Sequence, residues 1–186
     1  MFPLAFHKEN AVNLSLLTHE QLVDELLGAP RAASASEPRL THLLGIAREL
    51  LMRGLRRDMQ AASIISSPAT LRDWLRLYCS DLQHEVFVVV FLDVNHRVLD
   101  VEPMFRGTVT QTAVYPREVV KAALSRNAAA VAFAHNHPSG QAEPSRADEA
   151  LTMTLKAALA LVDVRVIDHF VVAGDHLVSM VERGLL

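Results

Sequence analysis

The rhythm of hydrophobic and polar positions changes near residue 67. Before it, apolar residues recur at helical spacing. Thr18 is placed to cap a helix carrying Leu22, Val23, Leu26 and Leu27 that stops at Gly28. Residues 29–38 lack periodicity and read as a linker. Leu40, Leu43, Leu44, Ala47, Leu50, Leu51 and Leu55 then mark a second amphipathic helix, with Arg48, Arg53, Arg56 and Arg57 interspersed as a solvated face. From Ser67 onward the pattern is mixed. Ser67 and Pro68 suit the cap and first position of a helix reaching about residue 80. Residues 86–92 are an unbroken apolar run, 93–96 suggest a turn, and 97–105 return as the second arm of a hairpin. Pro116 opens a helix through Ala123, residues 128–134 read as a short buried strand, and 145–161 as a helix. Two strands, 164–173 and 176–181, pair around Gly174 and Asp175. This order predicts an α/β (α+β) fold: a mixed sheet with flanking helices over residues 67–186, preceded by a short helical region over 1–66.

Composition narrows the classes of function. A chain of 186 residues that is 51% hydrophobic can bury one full core. Its formal net charge of -3 creates no overall positive field, so nucleic-acid binding is not supported by charge and would have to be local. Cys79, the single cysteine, cannot form an internal disulfide, and the first residues lack the order of a secretory signal. No apolar run approaches the ~18 residues of a membrane span. A soluble cytoplasmic protein without membrane association is the expectation, and the apolar amino-terminal helices suggest a homodimer.

The candidate chemistry is concentrated in His135-Asn136-His137-Pro138-Ser139-Gly140 and the following Pro144-Ser145-Arg146-Ala147-Asp148. Two histidines separated by one residue at the end of an extended strand point to the same side. Asp148 would project from the first turn of the next helix. Three such ligands and one open position form the pattern of a catalytic zinc site. Ser145 and Asp148 also make a capping box, which would fix the turn from which Asp148 reaches the metal. Pro138 and Gly140 read as turn chemistry that bends the chain away after the ligands, a reading left open for Asn136 and Ser139. Upstream, Glu85 opens the 86–92 run and by alternation shares a side with Phe87, Val89 and Phe91, making it the candidate general base. Asp168 and His169, polar residues inside an apolar strand, suggest a hydrogen-bonded core or support for the ligands.

The wording of this stretch, H-x-H-x7-S-x2-D with every fixed place filled, resembles the JAMM motif of MPN domains. Its HNHPSG and PSRADE are similar to the RadC-like proteins of the JAB/MPN family. Glu85-Val86-Phe87 leading to Phe91-Leu92-Asp93, Tyr115-Pro116-Arg117-Glu118-Val119, Asp168-His169-Phe170 and Arg183-Gly184-Leu185-Leu186 resemble segments of those proteins in the same order, over residues 67–186. The resemblance implies a cytidine-deaminase-like α/β fold and one zinc ion per chain held by His135, His137 and Asp148. It implies Glu85 as proton shuttle, Ser145 as stabiliser of the oxyanion, and hydrolysis of a peptide or isopeptide bond in an unidentified protein or peptide substrate. The family's historical name, a DNA repair protein, supplies the alternative: a DNA-repair-associated or scaffold binding module with little catalytic activity. The amino-terminal Gly28, Gly45 and Gly54 are isolated and do not form the paired glycines of a helix-hairpin-helix module. Tyr115 stands where relatives more often place a histidine. A nucleobase deaminase is excluded, because one cysteine cannot supply the H-x-E and P-C-x-x-C set.

Overall fold

The structure, a computed structural model, describes residues 13–22, 37–79, 82–107 and 113–186. It divides into two compact units, Met1–Gly54 and Leu55–Leu186. In the first unit, a 3-10 turn at Leu14–Leu16 is capped by Asn13. Thr18 caps the next helical segment as expected: its hydroxyl accepts from the Gln21 N–H at 3.2 Å while the Gln21 side chain accepts from the Thr18 N–H at 2.8 Å. The expected continuation through Val23, Leu26, Leu27 and Gly28, and the linker up to residue 36, lie outside the described residues. Helix α1, Glu37–Ala61, begins at what the sequence suggested was the end of the linker. Gly45 is a close approach within this unit: a Cβ there would sit 3.0 Å from the Leu14 Cδ1 atom.

The second unit holds the end of α1, helix α2 (Pro68–Cys79), strands β1 (Val86–Leu92) and β2 (Val98–Arg106), helix α3 (Pro116–Ser125), strand β3 (Ala130–Asn136), helix α4 (Arg146–Ala160), and strands β4 (Arg165–Ala173) and β5 (His176–Ser179). The strands form one mixed sheet in the order β2-β1-β3-β4-β5. β1 runs antiparallel to both β2 and β3, β4 is parallel to β3, and β5 returns antiparallel to β4. Every residue of β1 and β3 is buried, which is why both read as continuous apolar runs and not as alternating ones.

Burial sets the layers. Phe87, Val89 and Phe91 of β1 and Val131 and Phe133 of β3 share one face, covered by Val119 and Ala123 of α3 and Leu155 and Leu159 of α4. Each buried aromatic or aliphatic side chain here stabilises the fold by about 1.5–3 kcal/mol relative to exposure. α2 packs on the opposite face against β4 and β5, burying Leu71, Trp74 and Leu75. A parallel β3 and β4 need a crossover, and α4 is that crossover. Its amino terminus therefore lies at the carboxyl end of β3, the end of an α/β sheet where ligands are usually held. Among the described residues no helix is long and apolar enough to cross a membrane.

β3 settles one local reading. Asn136, which the sequence leaves open as turn chemistry, is the last residue of the strand and is 3% exposed. The strand starts later than expected because Asn127, at φ 49°, turns the chain and Ala128 closes back on the Ala123 carbonyl at 3.0 Å.

Candidate metal centre

The sheet's register assembles the site. Phe87 lies opposite His135 in the antiparallel β1–β3 pair, so Glu85, two residues before Phe87, and His137, two residues after His135, lie at the same end of the sheet. The His137 N–H donates to the Val172 carbonyl at 2.8 Å, so the chain stays extended past the end of β3 and both imidazoles emerge on the same face. Their Nε2 atoms are 2.9 Å apart. Asp148 reaches them from the first turn of α4, with Oδ1 3.4 Å from His135 Nε2 and Oδ2 3.6 Å from His137 Nε2. One potential ligand atom from each of the three residues lies within 4.8 Å of the others.

Ser145 holds Asp148 in place. As N-cap of α4, its hydroxyl donates to Asp148 Oδ2 at 2.6 Å and its N–H donates to the same oxygen at 2.7 Å. The Asp148 N–H returns a bond to the Ser145 hydroxyl at 3.2 Å. The capping box and the cluster therefore share one carboxylate. Glu85 is half-buried, and its charge reaches His137.

Proton positions around the cluster follow from groups that can only accept. The Gln141 carbonyl lies 2.7 Å from His137 Nδ1, so that nitrogen carries the hydrogen and Nε2 faces the cluster. Two imidazole nitrogens and a carboxylate thus converge where positive charge is required. In the metal-free chain this favours a proton on His137. The nearby Asp148 carboxylate raises the His137 pKa above its ordinary value against the effect of burial, helped by the Gln141 carbonyl and the charge of Glu85. Burial pushes the Asp148 carboxyl upward, but the neighbouring His135 and His137 rings and the Ser145 hydrogen bonds outweigh it and hold the group well below the usual carboxylate range. The set suits a divalent cation of borderline softness.

A pH dependence follows. Because the His137 pKa is raised, the metal-free cluster keeps its proton above pH 6.5, and an incoming cation must displace it. Apparent metal affinity should rise about tenfold per pH unit until pH passes the raised pKa, then flatten for this group. In the metal-free protein the same proton contributes stability below pH 6.5 that is lost as pH rises through the raised value. Metal titrations by calorimetry between pH 5.5 and 8.5 check the first statement, and an affinity independent of pH would contradict it.

Sequence comparison places this geometry in a family. The RadC-like JAB domain family matches residues 65–185. The chain belongs to the RadC-like JAB domain family. Its similar relatives carry the name UPF0758 protein. The one from Leptothrix cholodnii is 59% identical over 138 residues, covering 74% of this chain and 62% of the relative. That from Thiobacillus denitrificans is 53% identical over 160 residues, covering 86% and 71%. That from Chromobacterium violaceum is 48% identical over 183 residues, covering 95% and 82%. The chain thus spans 62% of the length of the first of these relatives. The five-stranded mixed sheet with its flanking helices is the α/β arrangement of a JAB/MPN fold.

Three further residues support this RadC-like site; Asn136 and Thr152 escaped the sequence reading, whereas His169 was expected there as hydrogen-bonded core or support for the ligands. Asn136 brackets Glu85: its Oδ1 accepts from the Val86 N–H at 2.8 Å and its Nδ2 donates to the His84 carbonyl at 3.0 Å. One side chain thereby fixes both peptide groups that flank the candidate base. Asn136→Ala should cost about 1–3 kcal/mol, because it leaves the buried Val86 N–H unsatisfied. Urea melts with hydrogen exchange at Val86 measure this, and an unchanged melt with full Val86 protection would contradict it.

His169 and Thr152 are the other two. Alternation along β4 sends His169 toward the cluster and Asp168 to the far face. There the Asp168 carboxylate accepts from the Ser179 hydroxyl at 2.6 Å, the His169 N–H at 2.7 Å and the Val181 N–H at 3.2 Å. Burial raises the Asp168 pKa against these bonds. His169 meets His135 directly, with His169 Nε2 2.8 Å from His135 Nδ1. Thr152, one turn beyond Asp148 on α4, meets His169 Nδ1 at 2.6 Å. Tyr115 is exposed and rests against Phe105, ring centroids 6.1 Å apart.

Proposed function

We propose that the chain is a zinc-dependent hydrolase of the JAMM type that cleaves a peptide or isopeptide bond in a protein or peptide substrate. The observation that carries this reading is the convergence of His135 Nε2, His137 Nε2 and the Asp148 carboxylate at one end of the sheet, within reach of the Glu85 charge. His135, His137 and Asp148 would hold the ion, and a zinc ion there supplies Lewis acidity that brings the pKa of water down to about 7. Glu85 then takes the proton of the attacking water and returns it to the departing amine. The Ser145 hydroxyl, exposed at the start of α4, is the donor for the developing oxyanion, exchanging its present bond to Asp148 for one to the substrate. Asn136 and the His84–Val86 backbone keep Glu85 beside His137.

The test is a zinc-loaded full chain incubated with a library of proteome-derived peptides and lysine isopeptides whose amines are blocked. Amines freed by cleavage are labelled and read by mass spectrometry. The reading predicts new amines that are absent from a parallel Glu85→Gln reaction. A profile identical for both proteins would contradict it.

A further inference from the structure

The contacts behind His135 form a chain whose protons can be counted. Thr152 Oγ1 lies 2.6 Å from the Asp148 carbonyl, and a carbonyl can only accept, so the single hydroxyl proton of Thr152 is committed there. Thr152 Oγ1 also lies 2.6 Å from His169 Nδ1. With its own proton spent, the hydroxyl must accept, and His169 Nδ1 must carry the hydrogen. His169 is 0% exposed and sits edge-on to the rings of Phe87 and Phe133, with centroids 5.5 and 5.7 Å away. No carboxylate hydrogen-bonds its ring among the described residues, and a charged ring would be costly in this fully buried, aromatic-lined position, so it is neutral. A neutral imidazole protonated at Nδ1 has only a lone pair at Nε2. The 2.8 Å contact with His135 then requires a hydrogen on His135 Nδ1, so that in its neutral form His135 carries its lone pair on Nε2, facing His137 and Asp148.

We propose that Thr152, acting through His169, fixes the tautomer of His135 and so presents its Nε2 lone pair to the cluster. Thr152 and His169 are positioning residues two hydrogen bonds deep, and the relay closes on itself, because the carbonyl that orders Thr152 belongs to Asp148. The helix that supplies the carboxylate thereby also sets the state of the histidine opposite. The tautomer follows from hydrogen bonding and the burial of His169, whereas the consequence for metal affinity rests on the reading of His135 as a ligand.

The experiment is imidazole nitrogen NMR on the full metal-free chain, followed by zinc titration against a chromophoric chelator. In the wild type, His169 should be neutral with its hydrogen on Nδ1, and a His169 protonated at Nε2 would overturn the relay whatever the variants do. Thr152→Val keeps the shape but removes the acceptor. His169 should then populate both tautomers, and zinc affinity should fall about 10- to 100-fold, the usual effect of losing a partner behind a ligand. Thr152→Ser, which restores the hydroxyl, should recover both the tautomer and the affinity. A folded Thr152→Val chain with wild-type affinity would overturn the positioning role. A wild-type chain that binds no zinc would instead sink the metal reading, while the His169 tautomer would still decide for or against the relay.

Discussion

Glu85→Gln should retain the fold and one zinc per chain while hydrolysis of any peptide identified in the library falls about 100- to 10,000-fold, the range for loss of a general acid-base group. The substitution keeps the shape of the side chain and removes its capacity to take a proton. Glu85 is held by its neighbours in a way that should survive the change. The Asn136 amide bonds the backbone on either side of it, and the Glu85 carbonyl accepts from the Gly107 N–H at 2.9 Å. Neither contact uses the carboxylate. Steady-state kinetics and metal content on the same samples check the statement. Full activity would make Glu85 a strand-edge carboxylate and require another base, and loss of zinc would make it a ligand. Ser145→Ala should lose less than Glu85→Gln in kcat, up to about 4 kcal/mol for an oxyanion donor, with a separate stability loss of about 1 kcal/mol for the cap. Because Ser145 also donates to Asp148, its variant should weaken zinc binding, which Glu85→Gln should not.

His135→Ala and His137→Ala should each lower zinc affinity by more than the ~100-fold that marks loss of a second partner, because each deletes a proposed primary ligand. The two variants should differ in stability. His135 is buried and bonded to His169, so its removal leaves the His169 ring without its partner and loosens the packing against Phe87 and Phe133. His137 is partly exposed and is tied mainly to the Gln141 carbonyl, so its removal should leave the fold nearly as stable. Zinc at a hundredfold excess over Kd should stabilise the wild type by about 2.7 kcal/mol and neither variant at that concentration. Thermal melts with and without zinc read both effects, and an equal zinc shift in all three proteins would contradict the ligand assignment.

Much of this arrangement was legible in the sequence, for physical reasons that differ by element. β1 matches its expected bounds because all seven of its positions are buried, so that the apolar run and the strand are the same object. The hairpin to β2 and the helix from Ser145 were legible through turn and cap chemistry, which is local. The spacing of His135, His137 and Asp148 carried the cluster, because a strand end and a helix start joined by a short loop leave few ways to place those side chains apart. The role of Asn136 was not legible. Asparagine is common in turns, and its partners, His84 and Val86, lie 50 or more residues earlier in the chain. Thr152 and His169 are likewise brought together by the packing of α4 on β4. One signal was available: Thr152 follows Asp148 by four residues, so it faces the same side of the helix.

The central claim is that the three convergent groups form a zinc site, and native mass spectrometry of the full chain titrated with zinc tests it most directly. The wild type should saturate at one zinc ion per chain, with release as the solution is acidified through the His137 pKa, and the His135→Ala/His137→Ala double variant should retain none. A wild-type chain that takes up no zinc, or a double variant that retains one ion as tightly as the wild type, would contradict it.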